Sequence, residues 1–438
     1  MPYAIDLFSG AGGMSEGIIQ AGFHILFSSD INEAVQKTYM NRHNQLGLKQ
    51  GINTHFELAD IKDLTGDFIK KSIANLEIFK KKEIPHIDAI FGGPPCQGFS
   101  RAGKRNPNDP RNKLFKEYVR VIDEIQPDYV VFENVTGFCD MKLYNFHGLN
   151  EDIYDDVILP DILKNELKNI GYDMLTPKIL NAANYGVPQR RNRIIVIAYK
   201  KGISAPSYPQ HTHDENNWIS LKEAIGDLIS NNEIKNNVNP KLTKYQLESI
   251  NGRTPDVNGK PIISKEYKNN DYSRHLQLIK ERFSLFKEGE TGLNLRNRIL
   301  KEGIDISNKP RLLFHLVENS DFTEEELILK FKNSDVNDDL LSILLTKKNM
   351  RNRLNRDEPS ATIVTIPDDY ISPFENRTLT VRESARLQSF DDSFEFLGKR
   401  TTGGKKRRVE VPQYSQVGNA VPPLLAKAIA LEIMKVIN

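Results

Sequence analysis

The chain has 438 residues, 60 of them Lys or Arg against 58 Asp or Glu, for a formal net charge of +2. Hydrophobic residues make up 39% and charged residues 27%, the balance of a folded globular protein rather than a disordered one. Two cysteines, Cys96 and Cys139, are too few for a disulfide scaffold or a cysteine-rich zinc site, and the near-neutral charge means that any polyanion site must come from local clustering.

Residues 4–8 (AIDLF) read as a strand that runs through a glycine turn into a helix over 15–21. A second strand covers 25–29 and a helix follows Asp30 over 32–41. Residues 87–91 (IDAIF), 129–132 (YVVF) and 194–198 (IIVIA) are further buried strands. Apolar runs bounded by turns and separated by helical patterns predict βαβ units and a parallel sheet, hence an α/β fold. From 201 to 350 the composition shifts to Asn, Lys, Asp and Glu, with amphipathic helical stretches at 275–287 and 324–332. Dense turn chemistry resumes near 353, and an apolar helix over 422–437 begins at two prolines, which suits a helix start. The expected organisation is a catalytic α/β domain over 1–200, a second unit over 201–350, and a segment over 351–438 that returns to the first. No apolar run is expected to reach the ~18 residues of a membrane span, and the opening MPYAIDLFSG has no leader pattern, which points to a reducing, cytoplasmic setting.

The chemistry sits at the strand ends. Gly10, Gly12 and Gly13 lie between a strand and a helix, where bare backbone can approach a ligand at a helix N-terminus. Asp30 ends the second strand, a position from which a carboxylate can accept both ribose hydroxyls of a nucleoside cofactor. Asp60-Ile61 offers a further acceptor and an apolar wall for an adenine. The segment Phe91-Gly-Gly-Pro-Pro-Cys-Gln-Gly-Phe-Ser100 places Cys96 at a strand's carboxyl end, behind prolines that fix the backbone and among glycines that clear space for a planar substrate. Cys139 lies in no comparable turn and reads as structural. Glu133 follows YVVF and faces the same crevice. Arg191 and Arg193 share one side of an extended segment, because side chains alternate.

The order of these motifs resembles the cytosine-5 DNA methyltransferase family, of the prokaryotic or phage modification type. The resemblance is carried by DLFSGAGGM, Asp30, Asp60, GGPPCQGFS, ENV and QRRNR, then by RTLTVRESARLQSF (377–390) and YSQVGNAVPP (414–423). It implies a Rossmann-like doubly wound sheet of the class I S-adenosylmethionine-dependent kind, with a smaller target-recognition domain at 201–350. It further implies S-adenosylmethionine held by Phe8, Ser9, Gly10, Gly12, Gly13, Asp30, Ile31, Asp60, Ile61, Pro95, Asn419 and Val421, and no metal. Cys96 would attack carbon 6 of a flipped-out cytosine, Glu133 would grip ring nitrogen 3 and the exocyclic amine, Arg193 would hold the carbonyl oxygen, and Arg191 would support the site or a phosphate. The loop 101–111 would close over the base, with Ser100, Arg101, Lys104, Arg105 and Arg111 near DNA, and the cluster 399–408 would add Lys405 and Arg407. Double-stranded DNA is the implied partner, a separately encoded cognate endonuclease a further one, and the protein is expected to be a monomer. The competing expectations are an RNA cytosine-5 methyltransferase on the same motifs, and a non-catalytic DNA-binding relative, although such relatives lose the Cys or the Glu. A nicotinamide dehydrogenase would use the glycine turn but has no need of Gly-Pro-Pro-Cys-Gln.

Overall fold

The computed structural model describes residues 1–80, 82–95, 113–238, 240–345, 351–402 and 410–437. Five strands, β1 (Tyr3–Leu7), β2 (His24–Asp30), β3 (His55–Leu58), β4 (Ala89–Gly92) and β5 (Tyr129–Asn134), lie parallel in the order β3-β2-β1-β4-β5. The helices between them are α1 (Gly13–Gln20), α2 (Glu33–Gln45), α3 (Gly66–Ala74) and α4 (Leu114–Ile125). After β5 come four two-residue strands, β6 (Lys142–Leu143), β7 (Phe146–His147), β8 (Ile153–Tyr154) and β9 (Val157–Ile158), then α5 (Leu159–Asn169). Strands β10 (Tyr172–Met174), β11 (Lys178–Asn181) and β12 (Asn192–Lys200) complete the eight-stranded sheet.

One expectation is corrected here. The strand over 194–198 forms, as β12, but it runs antiparallel to β5 and to its partners β10 and β11, so the sheet is mixed. A buried apolar run carries the same residues in either direction; the direction is set by the connection, and here the extra hairpin strands and α5 bring the chain back inverted.

The strands are apolar on both faces because both are covered. Ile5, Leu7, Ile90, Val130 and Phe132 face α3, α4 and α5, while Ala4, Ala89, Phe91, Tyr129 and Val131 face the other layer. That second layer is α1 packed on the C-terminal helix α16 (Pro423–Met434), which had been expected beside the first strand. Glycine makes this contact possible: a Cβ on Gly17 would stand 2.5 Å from Ala426 and from the Pro423 carbonyl. Gln413–Met434 is long and apolar enough to span a membrane, contrary to expectation, but 61% of its apolar 18-residue window is buried inside the protein. It also divides into α15 (Gln413–Asn419) and α16 at Pro422-Pro423.

The rest of the chain forms two further cores. Leu221 and Ile225 of α6 (Leu221–Ile225) and Tyr245 of α8 (Lys244–Asn251) pack with Leu379, Phe390, Phe394 and Tyr414. Arg386, on α14 (Val381–Leu387), bonds Asp227 and Asp392 at 2.6 Å each and locks the two stretches together. Helices α9 (Gln277–Phe283), α10 (Gly292–Glu302), α11 (Pro310–Glu318), α12 (Glu324–Lys332) and α13 (Asp338–Leu345) enclose a core of their own around Leu295, Ile299, Leu316 and Phe331. A capping box at Thr323, with Glu326 returning to its amide, starts α12 at the residue the sequence pattern predicts.

Candidate active site

The chain winds from β1 outward to β3 in one direction and from β4 to β5 in the other. The reversal between β1 and β4 opens a crevice at the strands' carboxyl ends, where open α/β sheets bind ligands. Leu7 pairs with Gly92 and with Ser29, and Gly92 pairs with Phe132, so Phe8, Asp30, Gly93 and Glu133 emerge along one rim.

On the β1–β2 side the backbone is shaped around open space. Phe8 adopts φ +56°, a left-handed conformation that costs a non-glycine residue energy and clusters at binding sites. Gly10 follows at φ +55°, and a Cβ there would meet nothing within 4 Å. Asp30 accepts the Gly10 amide at 3.1 Å and the Asn32 amide at 2.9 Å, which ties the turn to the end of β2. Two carboxylate oxygens offer about four acceptor positions, so capacity remains for hydroxyls. Burial raises the Asp30 carboxyl above the usual range, and those amides pull it back down. Ile31 is 67% exposed at the rim, an apolar surface facing outward beside a polar one. A carboxylate beside an exposed apolar side chain is the pairing that a nucleoside's ribose and base call for. Beneath it Asp6, fully buried against Ser15 and close to Asp30, is pushed up to about 7 by desolvation.

Several of the expected ligand residues also make structural contacts in the fold. Ser9 is buried and joins β1 to β2 through the Ser29 carbonyl. Gly13 serves close packing, since a Cβ would stand 2.4 Å from the Val421 carbonyl. Ile61 lies in the core with 5% exposure and offers an adenine little surface. The Asp60 carboxylate accepts the Lys62 amide at 3.1 Å. Asn419 is the last residue of α15 and is exposed. The approach of Val421 to Gly13 nevertheless brings this C-terminal stretch to the start of α1, beside Gly12 at φ +99°.

On the β4–β5 side, Glu133 is 9% exposed and pairs with Arg193, Nε to Oε1, at 2.9 Å. Burial raises the Glu133 carboxyl, and Arg193 and then Arg191 oppose the shift. A Cβ on Gly93 would stand 3.0 Å from Glu133 Oε2, so glycine keeps that oxygen clear. Asn134 donates to the Pro94 carbonyl at 3.1 Å and fixes the approach to Pro95, which is exposed. The sequence reading used only the Glu of ENV; the Asn beside it was visible, yet nothing local said what it would hold. Cys96 follows directly but lies outside the described residues, as do Ser100, Arg101, Lys104, Arg105, Arg111, Lys405 and Arg407. Arg191, at 2% exposure, donates to the carbonyls of Ile363 and Gly418.

The profile of the C-5 cytosine-specific DNA methylase family matches residues 3–435. The chain belongs to this family. It is 30% identical to the type II methyltransferase M.DdeI of Desulfomicrobium norvegicum over 98% of this chain and 88% of that protein. It is 32% identical to M1.HphI of Haemophilus parahaemolyticus, over 98% and 86%. In fold it is similar to a prophage-encoded candidate DNA modification methyltransferase of E. coli, at TM-score 0.64 and 21% identity over 100% and 99% of the two chains. It is also similar to the S. pombe Dnmt2 methyltransferase, at TM-score 0.52 and 16% identity over 99% of each. The chain is thus a DNA cytosine-5 methyltransferase of class I α/β architecture, and its methyl donor is S-adenosylmethionine. The family match favours DNA over the RNA alternative and an enzyme over a non-catalytic relative.

Proposed function

We propose that the chain is a sequence-specific modification methyltransferase working through a covalent Cys96 adduct, with the donor on the β1–β2 rim and the cytosine on the β4–β5 rim. The observation that carries this reading is the pairing of buried Glu133 with Arg193 beside the Pro94-Pro95 segment that leads into Cys96. Phe8, Gly10, Gly12, Asp30, Ile31 and Asn419 would hold S-adenosylmethionine, which supplies an electrophilic methyl group when bound. The remaining chemistry belongs to the chain. The Cys96 thiolate bonds to cytosine carbon 6, and the displaced electron pair makes carbon 5 nucleophilic. Protonated Glu133 donates to ring nitrogen 3 and accepts from the exocyclic amine, so the ring's developing negative charge is met in a site with little water. Arg193 keeps Glu133 oriented and offers its remaining donors to the carbonyl oxygen. Once carbon 5 has gained the methyl group, its proton leaves to a base and the thiolate departs. A duplex hides both carbons in the stack, so the target must be flipped out.

If Asp30 is a donor ligand, Asp30→Ala weakens S-adenosylmethionine binding by about 1–3 kcal/mol, since it also frees the Gly10 amide. Unchanged calorimetric affinity in both Asp30→Ala and Asn419→Ala overturns that placement.

The relatives named type II methyltransferases support a place in a restriction-modification system, with a separately encoded endonuclease. A monomer acting on cytoplasmic DNA is part of the same reading. The target-recognition region is assigned to 201–350, which includes the helical unit α9–α13. Replacing Lys405 and Arg407 together is then expected to lower affinity for all DNA alike and reduce the salt slope by about 1–2. A changed methylation sequence at an unchanged salt slope would contradict this division. Bisulfite sequencing of DNA from cells expressing the protein tests the whole reading: 5-methylcytosine at one recurring sequence is expected, and its absence refutes it.

A further inference from the structure

Arg191 bridges residues 363 and 418, and its charge reaches Glu133. Its guanidinium donates to the Ile363 carbonyl at 3.3 Å and the Gly418 carbonyl at 2.9 Å. Gly418 immediately precedes Asn419, and a Cβ on it would stand 2.7 Å from the Val364 carbonyl, so the helix end and residues 363–365 are pressed together. Two buried glutamines extend the unit. Gln189 accepts the Ile363 amide at 2.7 Å and donates to Gln388 at 2.9 Å, and Gln388 donates to the Val417 carbonyl at 2.8 Å. The Arg191–Gly418 bond joins the segment before β12 directly to the segment before Asn419, and Gln388 relays Gln189 to Val417 in the same direction. Two residues further on, Arg193 leaves the same extended segment to pair with Glu133. The Arg191 charge itself reaches Glu133, opposing the effect of burial on that carboxyl.

We propose that Arg191 is a positioning residue that couples the methyl-donor site to the cytosine site, holding the carbonyl before Asn419 to the segment that carries Arg193. This rests on the two-site reading given above. A donor that orders residues 417–420 orders the Gly418 carbonyl, and through Arg191 it orders Arg193 and Glu133 before the base arrives. Coupling of this kind is reciprocal, so DNA must tighten the donor by the same factor. A guanidinium suits the task because its planar fork spans two carbonyls, whereas an ammonium is a single point of attachment.

The test uses S-adenosylhomocysteine as the donor-site probe and a duplex carrying the sequence that the enzyme methylates. Fluorescence anisotropy gives the duplex affinity with and without the probe. In the parent, the probe is expected to tighten the duplex by a factor of about 5–150. Arg191→Met should bring this factor to about 1, and Arg191→Lys should cut it severalfold, while each ligand alone still binds. Should Arg191→Met not fold, Arg191→Lys decides by itself. A parent that shows no coupling overturns the proposal, and so does a factor unchanged in Arg191→Lys. A merely structural Arg191 would lower both separate affinities and leave the factor intact, which also overturns it. Failure of the two-site reading shows separately, as a parent that methylates no DNA.

Discussion

Cys96→Ser is expected to lose methyl transfer by several orders of magnitude while Cys139→Ser behaves as the parent does. A serine hydroxyl is a far weaker nucleophile at neutral pH than a thiol with some thiolate character. With two cysteines in the chain, two variants suffice to assign the nucleophile. Cys139 closes a short 3-10 turn (Thr136–Cys139), half-buried and packed against the core. A duplex carrying 5-fluorocytosine gives the cleaner readout. Fluorine at carbon 5 cannot leave as a proton, so the enzyme stays bonded to the base after methyl transfer. That adduct should survive a denaturing gel, and only when S-adenosylmethionine is supplied. An adduct that persists in Cys96→Ser and vanishes in Cys139→Ser would overturn the mechanism.

Much of this arrangement was legible because the parallel strands are buried on both faces. AIDLF, IDAIF and YVVF are short apolar runs between turns, and they became β1, β4 and β5. The residues at their ends then had to share one rim, which is why Asp30 and Glu133 could be placed from sequence alone. What was not legible depends on contacts between distant segments. Gly418 stays within α15, where the Val364 carbonyl leaves no room for a Cβ, a contact no local pattern shows. The alternation that put Arg191 beside Arg193 was sound, and both charges do reach Glu133. No local pattern could show that Arg191 would bond the carbonyls of Ile363 and Gly418. Ile61 likewise reads as a free apolar side chain until α3 and α4 pack around it.

Glu133→Gln should fold and bind S-adenosylmethionine, yet transfer methyl groups about 10²–10³-fold more slowly, the scale of losing one preorganised charge-stabilising donor. The glutamine amide still offers an oxygen to Arg193 Nε, so the largely covered guanidinium keeps that partner. Glu133→Ala removes that partner and should destabilise the fold by about 3–5 kcal/mol, which makes the Gln variant the informative one. The rate falls because an amide N–H can bond to ring nitrogen 3 but cannot release a proton to it. The pH profile separates this from simple misplacement. Burial raises the Glu133 carboxyl, so its protonated form persists above the ordinary carboxylate range and is lost as pH rises through the folded value. Parent activity should therefore carry a decline toward higher pH that belongs to Glu133, and Glu133→Gln, having nothing to titrate there, should lose it. The same shift has a stability consequence of definite sign. Between the unfolded and the raised folded value the native state holds the extra proton, so this group's contribution to stability decreases as pH rises across that window. Thermal melts of the parent and Glu133→Gln across that range should converge at its acid end and separate above it, with the Gln variant the less pH-sensitive. Parallel melts together with identical pH–rate profiles would show that Glu133 carries no catalytic proton.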